Sequence, residues 1–109
     1  MSSGKLLFKS GNFYYPLLQE QILYLSADGA YTNIHFGDRK ISVSKSIKEA
    51  SRYLDQEIFF RIHQSTIVNI DHINRISQMD DNIVEMINGE RLSVAKSRKK
   101  EFLAHFTRI

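Results

Sequence analysis

The sequence predicts a single, mainly β domain with two short helices. Three observations carry that expectation. Short apolar runs are separated by turn dipeptides at Asp28-Gly29, Gly37-Asp38 and Asn88-Gly89. Only two segments switch to a helical period. The length, 109 residues, suits one domain and suffices for a core without disulfide or metal staples. No internal repeat, low-complexity tract or linker interrupts the chain, so the domain is assigned to residues 1–109. Residues 1–4, Met1-Ser2-Ser3-Gly4, have the look of an expression scar and carry no argument.

Taken in order, Lys5 to Lys9 and Phe13 to Leu18 are short strands, with Pro16 marking an edge or a bend. Ile22 to Ser26 is apolar and ends at the Asp28-Gly29 turn. Ala30 to Phe36 alternates and turns at Gly37-Asp38 into Lys40 to Ser44. The period then changes. Ile47, Ala50, Ser51 and Leu54 form a helical stripe, and Ser46 with Glu49 completes a capping box, so a helix is expected over 46–54. Phe59 to Ile62 returns to strand. Residues 63–72 are mixed and read as a loop with a tight turn around Asn69. Ile73 to Met79 is a strand, turned by Asp80-Asp81-Asn82 into Ile83 to Ile87. Asn88-Gly89 suits a type I′ turn, because both residues tolerate positive φ, and Glu90 to Ala95 is the return strand. Ser97 to Phe106 is a terminal helix with Phe102, Leu103 and Phe106 on its apolar face.

Composition excludes several chemistries. There are no cysteines, which removes disulfides, thiolate metal sites and cysteine nucleophiles and favours a reducing cytoplasm. The N-terminus lacks the apolar run of a signal peptide, and the stretch from Leu17 to Ala27 is broken by Gln19, Glu20 and Gln21. A cytoplasmic protein with no membrane partner is expected. His35, His63, His72 and His105 show no helical metal spacing, and no G-x-S-x-G or glycine-rich phosphate loop occurs. The expectation is a protein that is not an enzyme and takes no cofactor or metal.

Fifteen basic and twelve acidic residues give a formal net charge of +3, so the position of the charges matters more than their sum. Arg91, Lys96, Arg98, Lys99, Lys100 and Arg108 crowd the C-terminal segment with only Glu101 against them. Arg39, Lys40, Lys45, Lys48 and Arg52 form a second group. Acids dominate from Asp71 to Glu90. This segregation suits a face presented to a polyanion, or cations that merely solvate the exposed sides of two helices.

Residues 59–69 read FFRIHQSTIVN. Arg61, His63, Gln64, Ser65 and Thr66 form a short polar stretch between apolar anchors. Hydroxyls and cations take phosphates, and an amide pairs bidentately with adenine N6 and N7. A polar loop closed by a buried Asn cap fits the same residues.

This run, continued by Ile70-Asp71-His72-Ile73, resembles the core signature of the LytTR DNA-binding domain family. ILYLSADGAYTNIHF (22–36) is similar to the family's first hairpin, and INGERLSVAKSRKKEF (87–102) to its last hairpin and basic helix start. The resemblance spans about residues 17–106. It implies small antiparallel sheets stacked as a β-sandwich with two peripheral helices. It further implies the output domain of a LytR/AlgR-type response regulator, or a stand-alone regulator, that binds double-stranded promoter DNA through loops in the major groove. A second copy on an adjacent direct repeat is implied, as is a receiver domain or sensor partner outside this chain.

Residue by residue, the resemblance implies base contact by Gln64, whose amide shifts preference from guanine toward adenine, and by Lys96, which lacks the planar fork of Arg. The turn at Asp28-Gly29-Ala30 corresponds to a third DNA-facing loop, with Gly29 and Ala30 suited to backbone or shape contact. Arg61, His63 and Ser65 fit phosphate or loop-positioning roles. Arg98 and Lys99 fit phosphate contact, and Ser97, as the cap of the terminal helix, would receive a phosphate at the helix start. Asn69 is expected to cap its turn. The competing expectations are a β-rich interaction or ligand-sensing module with a basic docking helix, and a single-strand binder that stacks bases on Tyr14, Tyr15 and Tyr31.

Overall fold

A computed structural model describes residues 4–79 and 82–109. β1 (Lys5–Ser10) and β2 (Phe13–Leu18) form a separate hairpin. β3 (Ile22–Asp28), β4 (Tyr31–Phe36), β5 (Arg39–Val43), β6 (Phe59–His63) and β7 (Thr66–Asn69) build an antiparallel sheet in the order β5-β4-β3-β7-β6. β8 (Ile73–Ile76), β9 (Ile83–Met86) and β10 (Arg91–Ser93) form a smaller sheet in the order β10-β9-β8. Helix α1 (Ile47–Ser51) follows β5, and α2 (Lys99–Leu103) closes the chain.

The mainly β expectation and the stacked small sheets hold, and the elements that differ do so for local reasons. Residues 63–72 are no loop. β6 runs on through His63, Gln64-Ser65 makes a tight turn, and Thr66–Asn69 returns as a strand between β3 and β6. The polar residues sit at the hairpin's end, while Ile67 and Val68 are buried inside the sheet. Asn69 does cap. Its Oδ1 accepts from the Asp71 N–H (2.9 Å) at the start of a 3-10 turn over Ile70–His72. Its Nδ2 donates to the Ile22 carbonyl (2.9 Å), which satisfies a fully buried side chain.

The Asn88-Gly89 turn is not type I′. Met86 pairs with Glu90 across three loop residues, the Gly89 N–H donates to Met86 O (2.9 Å), and only Gly89 takes positive φ (+89°). That is the longer hairpin loop closed by a left-handed glycine. The expected turn at Asp80-Asp81 lies outside the described residues; Asn82 beside it has φ +51°. The α1 capping box is present, with the Glu49 N–H donating to Ser46 Oγ (3.1 Å) and Glu49 Oε1 accepting from the Ser46 N–H (3.3 Å).

The five-stranded sheet carries apolar residues on both faces, and each face is covered. On one, Ile22, Leu25, Ile34, Ile41, Val43, Phe59 and Ile67 pack beneath Ile47, Ala50 and Leu54 of the α1 region and Leu17 of the hairpin. On the other, Leu23, Tyr24, Ile62 and Val68 meet Val84 and Met86 of the small sheet, Val94, and Phe102 of α2. A bulge between Ile22 and Tyr24 lets the neighbours Leu23 and Tyr24 both reach the second core. At its rim the His35 ring stacks on Tyr24 (centroids 3.9 Å, planes 11° apart) with Nε2 2.9 Å from Ser26 Oγ. Burial, and then the neighbouring Lys40 ammonium, hold this imidazole below its ordinary value, against a smaller opposing pull from Glu90. Among the described residues no helix is long and apolar enough to cross a membrane.

Candidate nucleic-acid interface

Sheet register decides which turns meet. β7 runs antiparallel to β3, pairing Thr66 with Ser26, so the Gln64-Ser65 turn and the Asp28-Gly29-Ala30 turn leave the sheet at the same end. The Ala27 N–H donates to Ser65 O (2.8 Å) and locks the two turns side by side. Gly29 takes φ +60°, a left-handed conformation that glycine adopts at no steric cost.

A bulge in β6 brings in a third segment. Arg61 pairs with Ile67 and His63 with Thr66, so Ile62 is the extra residue. Its side chain is fully buried in the second core, and its carbonyl accepts from the Ala95 N–H (2.7 Å). Lys96 therefore follows immediately beside the β6–β7 turn. Gln64 and Lys96 are both exposed, on neighbouring segments of one edge of the molecule.

The turn itself is tied down by its own side chains. The Ser65 N–H (3.2 Å) and Oγ–H (2.9 Å) both reach His63 Nδ1. A backbone N–H only donates, so Nδ1 is the acceptor and the proton of the neutral ring lies on Nε2. Arg61 Nη2 donates to the Gln64 carbonyl (2.5 Å). Its Nε is buried and meets no acceptor among the described residues.

One expected feature is corrected. Ser97 caps no helix. Lys96–Arg98 winds into a 3-10 turn, with the Arg98 N–H on Ala95 O (2.9 Å), and α2 begins at Lys99 behind Arg98 without a side-chain cap. Ser97 thus lies exposed within the turn, not at a helix boundary. Arg98 and Lys99 are half-buried, and Lys99 Nζ donates to Met79 O (3.3 Å).

Sequence reasoning left Lys45 out of the site. The fully buried Thr32 donates its hydroxyl to Lys45 O (2.7 Å), which places Lys45 at the end of β5 that flanks the Gly29-Ala30 turn. The signal was present in the second basic group, but only the strand register says at which end of the sheet it arrives. The opposite end mixes acids with Arg39 and Lys40 of the β4–β5 turn. Glu20 and Asp71 lie on neighbouring 3-10 turns, joined by His72, whose Nε2 lies 2.5 Å from the Glu20 backbone carbonyl. Asp55 and Glu57 lie on the segment whose Ile58 carbonyl receives the Ile70 N–H (2.7 Å). Cations outnumber acids at the end that carries the three turns, with Lys45, Arg61, Lys96, Arg98 and Lys99 against Asp28.

Comparison with known proteins gives the family. Residues 13–107 match the LytTr DNA-binding domain family. The chain belongs to that family. The transcriptional regulatory protein LytR of Staphylococcus aureus is 29% identical over 90 residues, covering 81% of this chain and 37% of LytR. The sensory transduction protein LytT of Bacillus subtilis is 23% identical over 99 residues, covering 89% of this chain and 41% of LytT. The LytTr domain thus spans well under half the length of these relatives. A solved LytTr DNA-binding domain of a methyl-accepting/DNA response regulator from Bacillus cereus superposes with a TM-score of 0.83 at 25% identity, covering 95% of this chain and 97% of that one.

Proposed function

We propose that this LytTr domain reads double-stranded promoter DNA with the three turns at one end of its main sheet. The carrying observation is the pair of backbone bonds, Ala27 to Ser65 and Ala95 to Ile62, that fix the turns as one unit on the basic end. Gln64 and Lys96 reach base edges in the major groove, with Gly29 and Ala30 close to the duplex between β3 and β4. His63 Nε2, Ser65, Ser97, Arg98, Lys99 and Lys45 meet phosphates. Such contacts position the protein, whereas base edges specify sequence. By kinship with LytR and LytT, the domain serves in the cytoplasm as the output part of a response regulator. A receiver domain or sensor partner supplies the signal, and a second copy occupies an adjacent direct repeat.

Selection from a random duplex library at moderate salt tests this reading. The expected result is a short motif repeated in the same orientation. With Lys45, Arg98 and Lys99 neutralising about three phosphates, log K is expected to fall with log salt at a slope of about −3. A flat salt dependence with no enriched motif would refute the proposal and favour a protein-docking role for the basic face.

A further inference from the structure

Arg61 belongs to the polar stretch, yet its geometry sets it apart from a phosphate contact. Strand alternation places it on the face of Phe59, and the ladder sets it opposite buried Ile67. The side chain is partly buried, Nε has no exposed surface, and Nη2 turns back onto the Gln64 carbonyl at 2.5 Å. Burying Nε without a partner among the described residues has a desolvation cost, while the exposed side of the guanidinium is held by its bond to the Gln64 carbonyl. The bulge at Ile62 lies directly between Arg61 and the turn it closes.

We propose that Arg61 is a positioning residue that sets sequence discrimination by clamping the main chain of Gln64. The guanidinium fixes the carbonyl of the base-reading residue from beneath, while His63 holds the next residue through the Ser65 N–H. A side-chain amide can pair with one chosen base edge only if the main chain it springs from is held at a fixed place, because bidentate pairing depends on position and direction. Arg61 therefore acts through Gln64 and adds little to overall phosphate affinity. This inference rests on Gln64 reading a base.

The test pairs Arg61→Met with Gln64→Ala in a double-mutant cycle on duplexes that differ at one base pair. Arg61→Met is expected to lower discrimination at the pair read by Gln64 by about 5- to 150-fold, with the salt slope unchanged. In the Gln64→Ala background the same change is expected to have no further effect. A slope that falls by one unit with discrimination intact makes Arg61 a phosphate contact and overturns the proposal. An equal loss in both backgrounds makes it a general framework residue and also overturns it. If Arg61→Met does not fold, Arg61→Lys replaces it, retaining the charge but not the fork, with the same losses expected. Backbone amide relaxation of the free protein separates the two readings. Faster motion at Gln64 and Ser65 in the Arg61 variant supports the clamp even where Gln64→Ala leaves sequence preference untouched, an outcome that refutes base reading alone. Unchanged motion refutes the clamp.

Discussion

Gln64 presents one donor and one acceptor in a plane, the pattern that matches adenine in the major groove. Gln64→Ala is expected to relax preference at one base pair at a cost of about 1–3 kcal/mol, measured by competition between duplexes. Lys99→Ala is expected to weaken all sequences alike and flatten the salt slope by about one unit, measured by titration at several salt concentrations. Identical effects of the two changes on every duplex would erase the distinction between specifying and positioning contacts. The resemblance at 59–73 and 87–102 singled out Gln64 and Lys96, and the fold sets the two residues on neighbouring segments. The placements of Arg61 and Lys45 were not legible. The first depends on a side chain folding back three residues, and the second on strand register, neither of which a linear pattern expresses.

Local grammar was readable wherever it is self-contained. The Ser46–Glu49 capping box and the Asn69 cap follow from side chains meeting backbone two or three residues away. The β6–β7 hairpin was hidden because its turn, Gln64-Ser65, contains neither glycine nor proline. Tertiary bonds from Ala27 and Ala95 on either side add to the ties made by its own side chains. Asn69→Ala is expected to destabilise the domain by about 1–3 kcal/mol, measured by denaturant unfolding, since the buried Ile22 carbonyl then loses its donor. The β3–β4 ladder adds a pH response. His35 binds its proton less readily folded than unfolded, so the unfolded chain takes up more protons as pH falls through about 6.5. Stability should therefore be undiminished above that pH and decline below it, and His35→Gln, which retains a partner for Ser26, should remove that part of the decline in thermal melts. A decline of equal size in the variant would assign it to other groups.

At the scale of the whole molecule, two cores share one sheet. The mainly β class and the two helices were legible from period alone, but the division of the apolar residues between two faces was not. It depends on the bulges at Leu23 and Ile62, which break simple alternation. Phe102 joins the second core to the site, since it is fully buried against Phe60 (ring centroids 5.3 Å) on the strand that leads to the turn. Phe102→Ala is expected to cost about 3–5 kcal/mol by calorimetry. Binding lost by this variant at a temperature where it remains folded would show that α2 also holds Lys96 in place. The two backbone bonds that tie the turns together carry one more consequence. If the turns read bases as proposed, fused fingers cannot stretch or slide, so the distance between the base pairs they sense is built into the protein as into a gauge block. Insertion of a single base pair within one half-site should abolish recognition outright, whereas a lengthened gap between half-sites should cost only what the two copies gain from each other.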